Sequence, residues 1–181
     1  MAGLAVAAVL LVAVVRIRNG LVARRQAVAE ARAQVDAQLR RRHDLVPALV
    51  RAVQGYLDHE RDVLTRVAAA RTAAVAATGA APGETAAAEN ALTAALLSLR
   101  ELVERYPRLQ GGAAVLRLQE DLTSAENRIA FARQRHADVV MGYNTAREEL
   151  PASLVAGLLG FRPAAYLELE LPAGRAPTAS G

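Results

Sequence analysis

The three histidines, His43, His59 and His136, are the side chains of this sequence best suited to metal binding or proton transfer. A di-metal site inside a helical bundle uses Glu-x-x-His, which projects a carboxylate and an imidazole one turn apart toward the same interior. The positions three residues before these histidines hold Arg40, Tyr56 and Arg133 instead. His59-Glu60 starts like a zinc-protease helix, but the second histidine would have to stand where Val63 is. His43-Asp44 matches a pair found in metal phosphohydrolases, without the other ligands that chemistry needs. Cysteine is absent, which removes thiolate metal sites, disulfides and cysteine nucleophiles. GAAPG and QGG lack the lysine and the strand context of a phosphate loop. No catalytic residue, metal or cofactor is therefore assigned.

Charge is the other source of chemistry. All the basic residues are arginines, the net charge is +4 and the pI is about 10.3. Such a balance raises nucleic acid as a partner. The acids are interleaved with the arginines in most segments, however, as on solvated helix faces. Arg40, Arg41 and Arg42, followed by His43 and Asp44, form the densest cluster. They read as a solvated helix end, with phosphate or anionic lipid as the alternative, and nucleic acid ranks last. Glu60 and His136 fall on otherwise apolar seams. Hydrogen-bonded groups that fix helix register explain them more simply than a catalytic acid and base.

The elements that position these residues are helices. Hydrophobic residues make up 53% of the chain but aromatics only 3%, so the core must be built of Ala, Leu and Val. Residues 2–15 are uncharged and followed by Arg16 and Arg18. Fourteen residues of helix cover about 21 Å, and counting to Val22 reaches the ~30 Å of a bilayer core. A secretory signal would need a basic region before the apolar run, and a start truncated at a downstream methionine is a third reading. A membrane-anchoring helix over 1–22 is preferred. Arg16, Arg18, Arg24 and Arg25 all lie after it, which predicts an exterior N-terminus and a cytoplasmic remainder at the cell membrane.

Four amphipathic segments come next, at about 21–43, 46–78, 85–106 and 115–150. Asp44 as N-cap and Pro47 in a first turn predict a corner at 42–46. One bent helix through Pro47 is the alternative, against a cost of ~3 kcal/mol for an interior proline. Val46, Val53, Glu60, Val67 and Ala74 fall seven apart, and the third apolar position per heptad suits a bundle more than a two-stranded coiled coil. TGAAPGE (78–84) is a loop. The last helix carries a seam from Val115 through Ala125, Ile129, Ala132, His136 and Tyr143 to Leu150. Short connections make successive helices antiparallel neighbours. The expected fold is all-α: an antiparallel up-and-down four-helix bundle over 23–161 behind the transmembrane helix. SLVAGLLGF (153–161) reads as a short closing helix, YLELEL (166–171) as a strand-like alternation, and 162–181 as a largely disordered tail.

Several separated motifs resemble the LemA family: VDAQLRRRHDLVPALVRAVQGYLDHE (35–60), AR (70–71), EN (89–90), ERYP (104–107), LQEDLTSAENRIAFARQRH…YN (118–144) and GF (160–161). The resemblance implies an N-terminal anchor, a short exterior N-terminus and a cytoplasmic helical bundle, and brings no enzyme activity. Some relatives help build magnetic organelles, which implies a part in membrane organisation. Relatives usually carry Tyr-Asn where His136-Ala137 stand here, and an aromatic where Ala31 or Ala33 stands. Glu126, Asn127 and Arg128, like Tyr143 and Asn144, match the family and are expected to hydrogen-bond between helices. The expected function is that of a non-enzymatic, membrane-anchored interaction or scaffold protein, with lipid bound through 1–22 and protein partners on the bundle. The alternative is a bundle that binds a small ligand or metal among Glu60, Arg128 and His136.

Overall fold

A computed structural model describes residues 1–56 and 60–169, for Gln110 the backbone alone. It is all-α, with six helices among the described residues: α1 (Ala2–Gln54), α2 (Arg61–Ala76), α3 (Pro82–Glu104), α4 (Pro107–Gln110), α5 (Ala113–Glu148) and α6 (Ala152–Leu158). His59 lies outside the described residues.

The corner expected at 42–46 is replaced by unbroken helix, with Pro47 inside α1. The apolar pattern explains why. Val35, Leu39, Val46, Leu49 and Val53 are all buried, and the missing member of that alternating four-three series is Arg42, which is buried too. One face therefore continues through the proline. Asp44, expected as an N-cap, is an exposed mid-helix residue. The helix ends instead at a turn through Gly55 and Tyr56, so the segment expected over 46–78 is divided between α1 and α2. Glu60 stands just before α2, half-buried, with no side-chain capping bond.

The loop expected at 78–84 forms between α2 and α3. Gly79 takes φ +80°, a conformation that side chains resist, and Pro82 opens α3, where its missing N–H costs nothing. The buried Thr85 hydroxyl donates to the carbonyl of Ala77 at 3.1 Å, tying α3 back to the end of α2. Pro107 ends the α3 pattern and starts the single turn of α4.

The chain divides into two compact units. The second, Val35–Arg133 with residues 167–169 among those described, contains the larger core. Val46, Leu49 and Val53 of α1, Leu64, Val67 and Ala74 of α2, and Leu92, Leu96, Leu99 and Val103 of α3 meet there, closed by Leu109 and Val115. A smaller cluster joins Val35 and Leu39 to Ala86, Ile129, Ala132, Leu167 and Leu169. Leu167 and Leu169 thus alternate inward as the YLELEL pattern suggests, but residues 161–169 form no strand. They are held by side chains: Asn90 donates to the carbonyl of Glu168 at 3.4 Å and Arg133 to that of Leu169 at 2.8 Å. The rest of the expected tail, 170–181, lies outside the described residues.

The first unit comprises Met1–Gln34 and Gln134–Tyr166. Leu21 and Ala31 of α1, His136, Val140 and Tyr143 of α5, and Val155 and Ala156 of α6 are buried in it. Arg24 reaches to 3.9 Å from where a Cβ on Gly142 would stand.

Candidate functional site: a buried charge cluster

The second unit buries a carboxylate, a guanidinium and an imidazole together. Glu89 of α3 is 1% exposed, His43 of α1 2% and Arg42 3%. Arg42 and His43 reach the interior because they continue the α1 seam, while their neighbours Arg40, Arg41 and Asp44 point to solvent. Glu89 falls on the α3 seam with Ala86, Leu92 and Leu96. The RRRH run is thus not one basic patch. A helical turn of about 100° per residue splits it, two arginines outward and Arg42-His43 inward.

The two oxygens of Glu89 are divided between partners on α1. Oε2 accepts a short hydrogen bond from Nη2 of Arg42, and Oε1 lies 2.7 Å from Nε2 of His43. Arg42 also donates through Nη1 to the Thr93 hydroxyl at 3.1 Å, and that hydroxyl donates to the carbonyl of Glu89 at 3.0 Å. Burial works to raise the pKa of the Glu89 carboxyl. The hydrogen bond from His43 and the charge and hydrogen bond of Arg42 outweigh it, holding the group below its ordinary value. Glu89 is ionised at neutral pH.

A second bond ties in α2. Pro47 has no N–H, so the carbonyl of His43 lacks the donor that an unbroken helix supplies four residues later. Arg71 of α2 provides one, its Nε–H donating to that carbonyl at 2.8 Å. Opposite, Glu126 of α5 is half-buried and lies in the field of Arg42 and Arg100. Burial raises its pKa, an effect the two arginines only partly oppose. Its neighbours Asn127 and Arg128 are exposed.

In the first unit the YN pair does a different task. The Tyr143 hydroxyl donates to the carbonyl of Arg162 at 2.8 Å. Asn144 makes a two-point bond with Ala164, donating Nδ2–H to its carbonyl at 3.0 Å and accepting its N–H at 2.9 Å. The segment after α6 is thereby clamped to α5. Gly160 at φ +70° and the Phe161 N–H bonded to the carbonyl of Ala156 form a Schellman end to α6. Phe161 then lies under the guanidinium of Arg25, 5.6 Å from ring centre to charge.

A model of the LemA family matches residues 31–180. The chain belongs to the LemA family. No curated protein matches it. The matched LemA region starts at Ala31, beyond the apolar stretch, and contains every polar contact described above except the Arg25–Phe161 stacking, of which it holds only the ring. Its separated motifs acquire physical roles: RH at 42–43 and the Glu89 of EN form the buried cluster, the Asn90 of EN holds Glu168, the Arg71 of AR repairs the proline gap, YN at 143–144 clamps 162–164, and GF at 160–161 ends α6.

Of the twelve residues singled out from the sequence, only Arg42 and His43 meet in this cluster, with Glu126 beside it. Glu89, Thr93 and Arg71 are site residues beyond those expected from the sequence. Glu89 carries the same signal as Glu60 and His136, a polar group on an apolar seam. Arg128, expected to line a ligand cavity, is on the surface of α5, and His136 is buried in the first unit. Among the described residues no three His, Asp or Glu side chains come together as metal ligands. Both oxygens of Glu89 are committed to Arg42 and His43, so the cluster works as a clasp between α1 and α3.

Proposed function

We propose that this chain is a membrane-anchored, non-enzymatic scaffold whose LemA-type helices are presented at the cytoplasmic face of the cell membrane for protein partners. The observation that carries this reading is the uncovered apolar start of α1. Leu4, Val6, Val9, Leu10, Leu11 and Val12 are each more than half exposed, and almost none of this apolar stretch is covered by the rest of the chain. Soluble monomers rarely expose an apolar surface of this length, whereas a bilayer core covers it. Arg16, Arg18, Arg24 and Arg25 on the C-terminal side support a cytoplasmic location for the remainder of the chain. The pairing of both Glu89 oxygens with Arg42 and His43 supports a structural role for the motif residues.

Fractionation tests it. The full chain should stay with membranes through alkaline carbonate extraction, and a chain lacking residues 1–22 should be released. Retention of the shortened chain would sink the anchor. Protease added to sealed, right-side-out cells should leave the bundle intact, and its digestion there would reverse the orientation.

A further inference from the structure

We infer that α6 and its flanks form a second membrane contact, a leucine stripe that lies in the lipid headgroup boundary beside the anchor. The inference rests on the membrane-anchored reading above and adds to it a surface that belongs to the folded domain.

Three leucines four residues apart stand out from the first unit: Leu150 is 77% exposed, Leu154 70% and Leu158 88%, with Leu159 next to the last. The other side of α6, Val155 and Ala156, is already buried against the unit. A short helix with apolar residues on both sides needs a cover for the outer one.

Position and charge identify that cover as lipid. The Arg24 guanidinium reaches to 3.9 Å from where a Cβ on Gly142 would stand, and Phe161, just after α6, lies under the guanidinium of Arg25. Both contacts tie the α5–α6 part of the first unit to the basic residues that follow the apolar start of α1, where an anchored chain meets the lipid headgroups. The apolar residues of interfacial helices sink about 5–10 Å into the headgroup and acyl boundary. The surroundings are basic: Arg16, Arg18, Arg24, Arg25, Arg147 and Arg162 outnumber Glu148 and Glu149. Anionic headgroups complement that excess.

The chain has no cysteine, so single labels can be placed without background. Full-length Leu154→Cys and Leu158→Cys, each carrying an environment-sensitive nitrobenzoxadiazole dye, would be reconstituted in phosphatidylcholine–phosphatidylglycerol vesicles. Leu10→Cys reports the anchor and Asp138→Cys, on the exposed side of α5, reports water. The expected result is loss of emission at positions 10, 154 and 158 with nitroxide-bearing lipid, and loss at 138 with aqueous iodide. Lipid quenching at 10 with iodide quenching at 154 and 158 would overturn this inference and leave the anchor standing. Protection of 154 and 158 from both quenchers would overturn it in favour of a second copy or another protein. A Leu10 label insensitive to nitroxide lipid would overturn the anchor, and the stripe with it.

Discussion

Arg71 donates its Nε–H to the carbonyl of His43 at 2.8 Å, and that carbonyl is the one Pro47 leaves without a helical donor. A proline interior to a helix removes one bond and strains the turn before it. Here a side chain from the neighbouring helix replaces the bond, and the replacement lies one residue from the Arg42–Glu89 pair. The weak point of α1 has become its junction with α2.

A double-mutant cycle measures that repair. Arg71→Ala should cost about 1.5–3 kcal/mol, the range for a hydrogen bond with a charged partner. In a Pro47→Ala background, where residue 47 supplies its own N–H, the same change should cost about 1 kcal/mol less. Thermal unfolding of the full chain in detergent, followed by helical circular dichroism, reads both. Equal costs in the two backgrounds would show that Arg71 does not serve the proline gap.

Glu89→Gln should destabilise the fold by about 3–5 kcal/mol at pH 7, because it leaves the buried Arg42 without its counter-charge. The pH dependence has a definite sign. The folded-state pKa of Glu89 lies below its ordinary value, so its contribution is complete above the usual carboxylate range of ~4.3 and is lost as pH falls through the lower folded value. The stability gap between wild type and Glu89→Gln should narrow only in acid. A gap constant down to about pH 2 would contradict the ionised clasp.

Glu126 should behave in the opposite way. Its carboxyl is raised in the fold by burial, so its contribution is full below the unfolded value and lost as pH rises through the folded one. Glu126→Gln is therefore expected to raise Tm by a few degrees at pH 7, and the gain should vanish in acid. Destabilisation at pH 7 would mean that attraction to Arg42 and Arg100 exceeds the cost of burial.

Asn144→Ala removes both bonds to Ala164 and should cost about 1–3 kcal/mol, while Tyr143→Phe removes one and should cost about 0.5–1.5 kcal/mol. Amide exchange separates them. The Ala164 N–H is bonded to Asn144 Oδ1, so its exchange should accelerate in Asn144→Ala and change little in Tyr143→Phe. Unchanged exchange in Asn144→Ala would show that the clamp has no part in holding the segment.

The sequence by itself determined the all-α class, the apolar start of α1 and the family. The α5 seam read from spacing is borne out at Val115, Ala125, Ile129, Ala132, His136 and Tyr143, but not at its last member, Leu150, which is exposed because α5 ends at Glu148 and the chain turns at Pro151. Periodicity succeeds there because it states which face of a helix is turned inward, and side-chain transfer from water enforces that locally. It does not state which faces meet. Glu89 lies 46 residues from His43, and only tertiary packing brings the α1 and α3 seams together so that a lone acid and two lone bases become one hydrogen-bonded cluster. The unbroken course of α1 was decided in the same way. The cost of Pro47 can be read in the chain, but the offsetting bond comes from Arg71, on another helix. Interactions whose partners are distant in sequence carry no local signature, so the fold, and not the pattern, selects between a corner and a continuous helix.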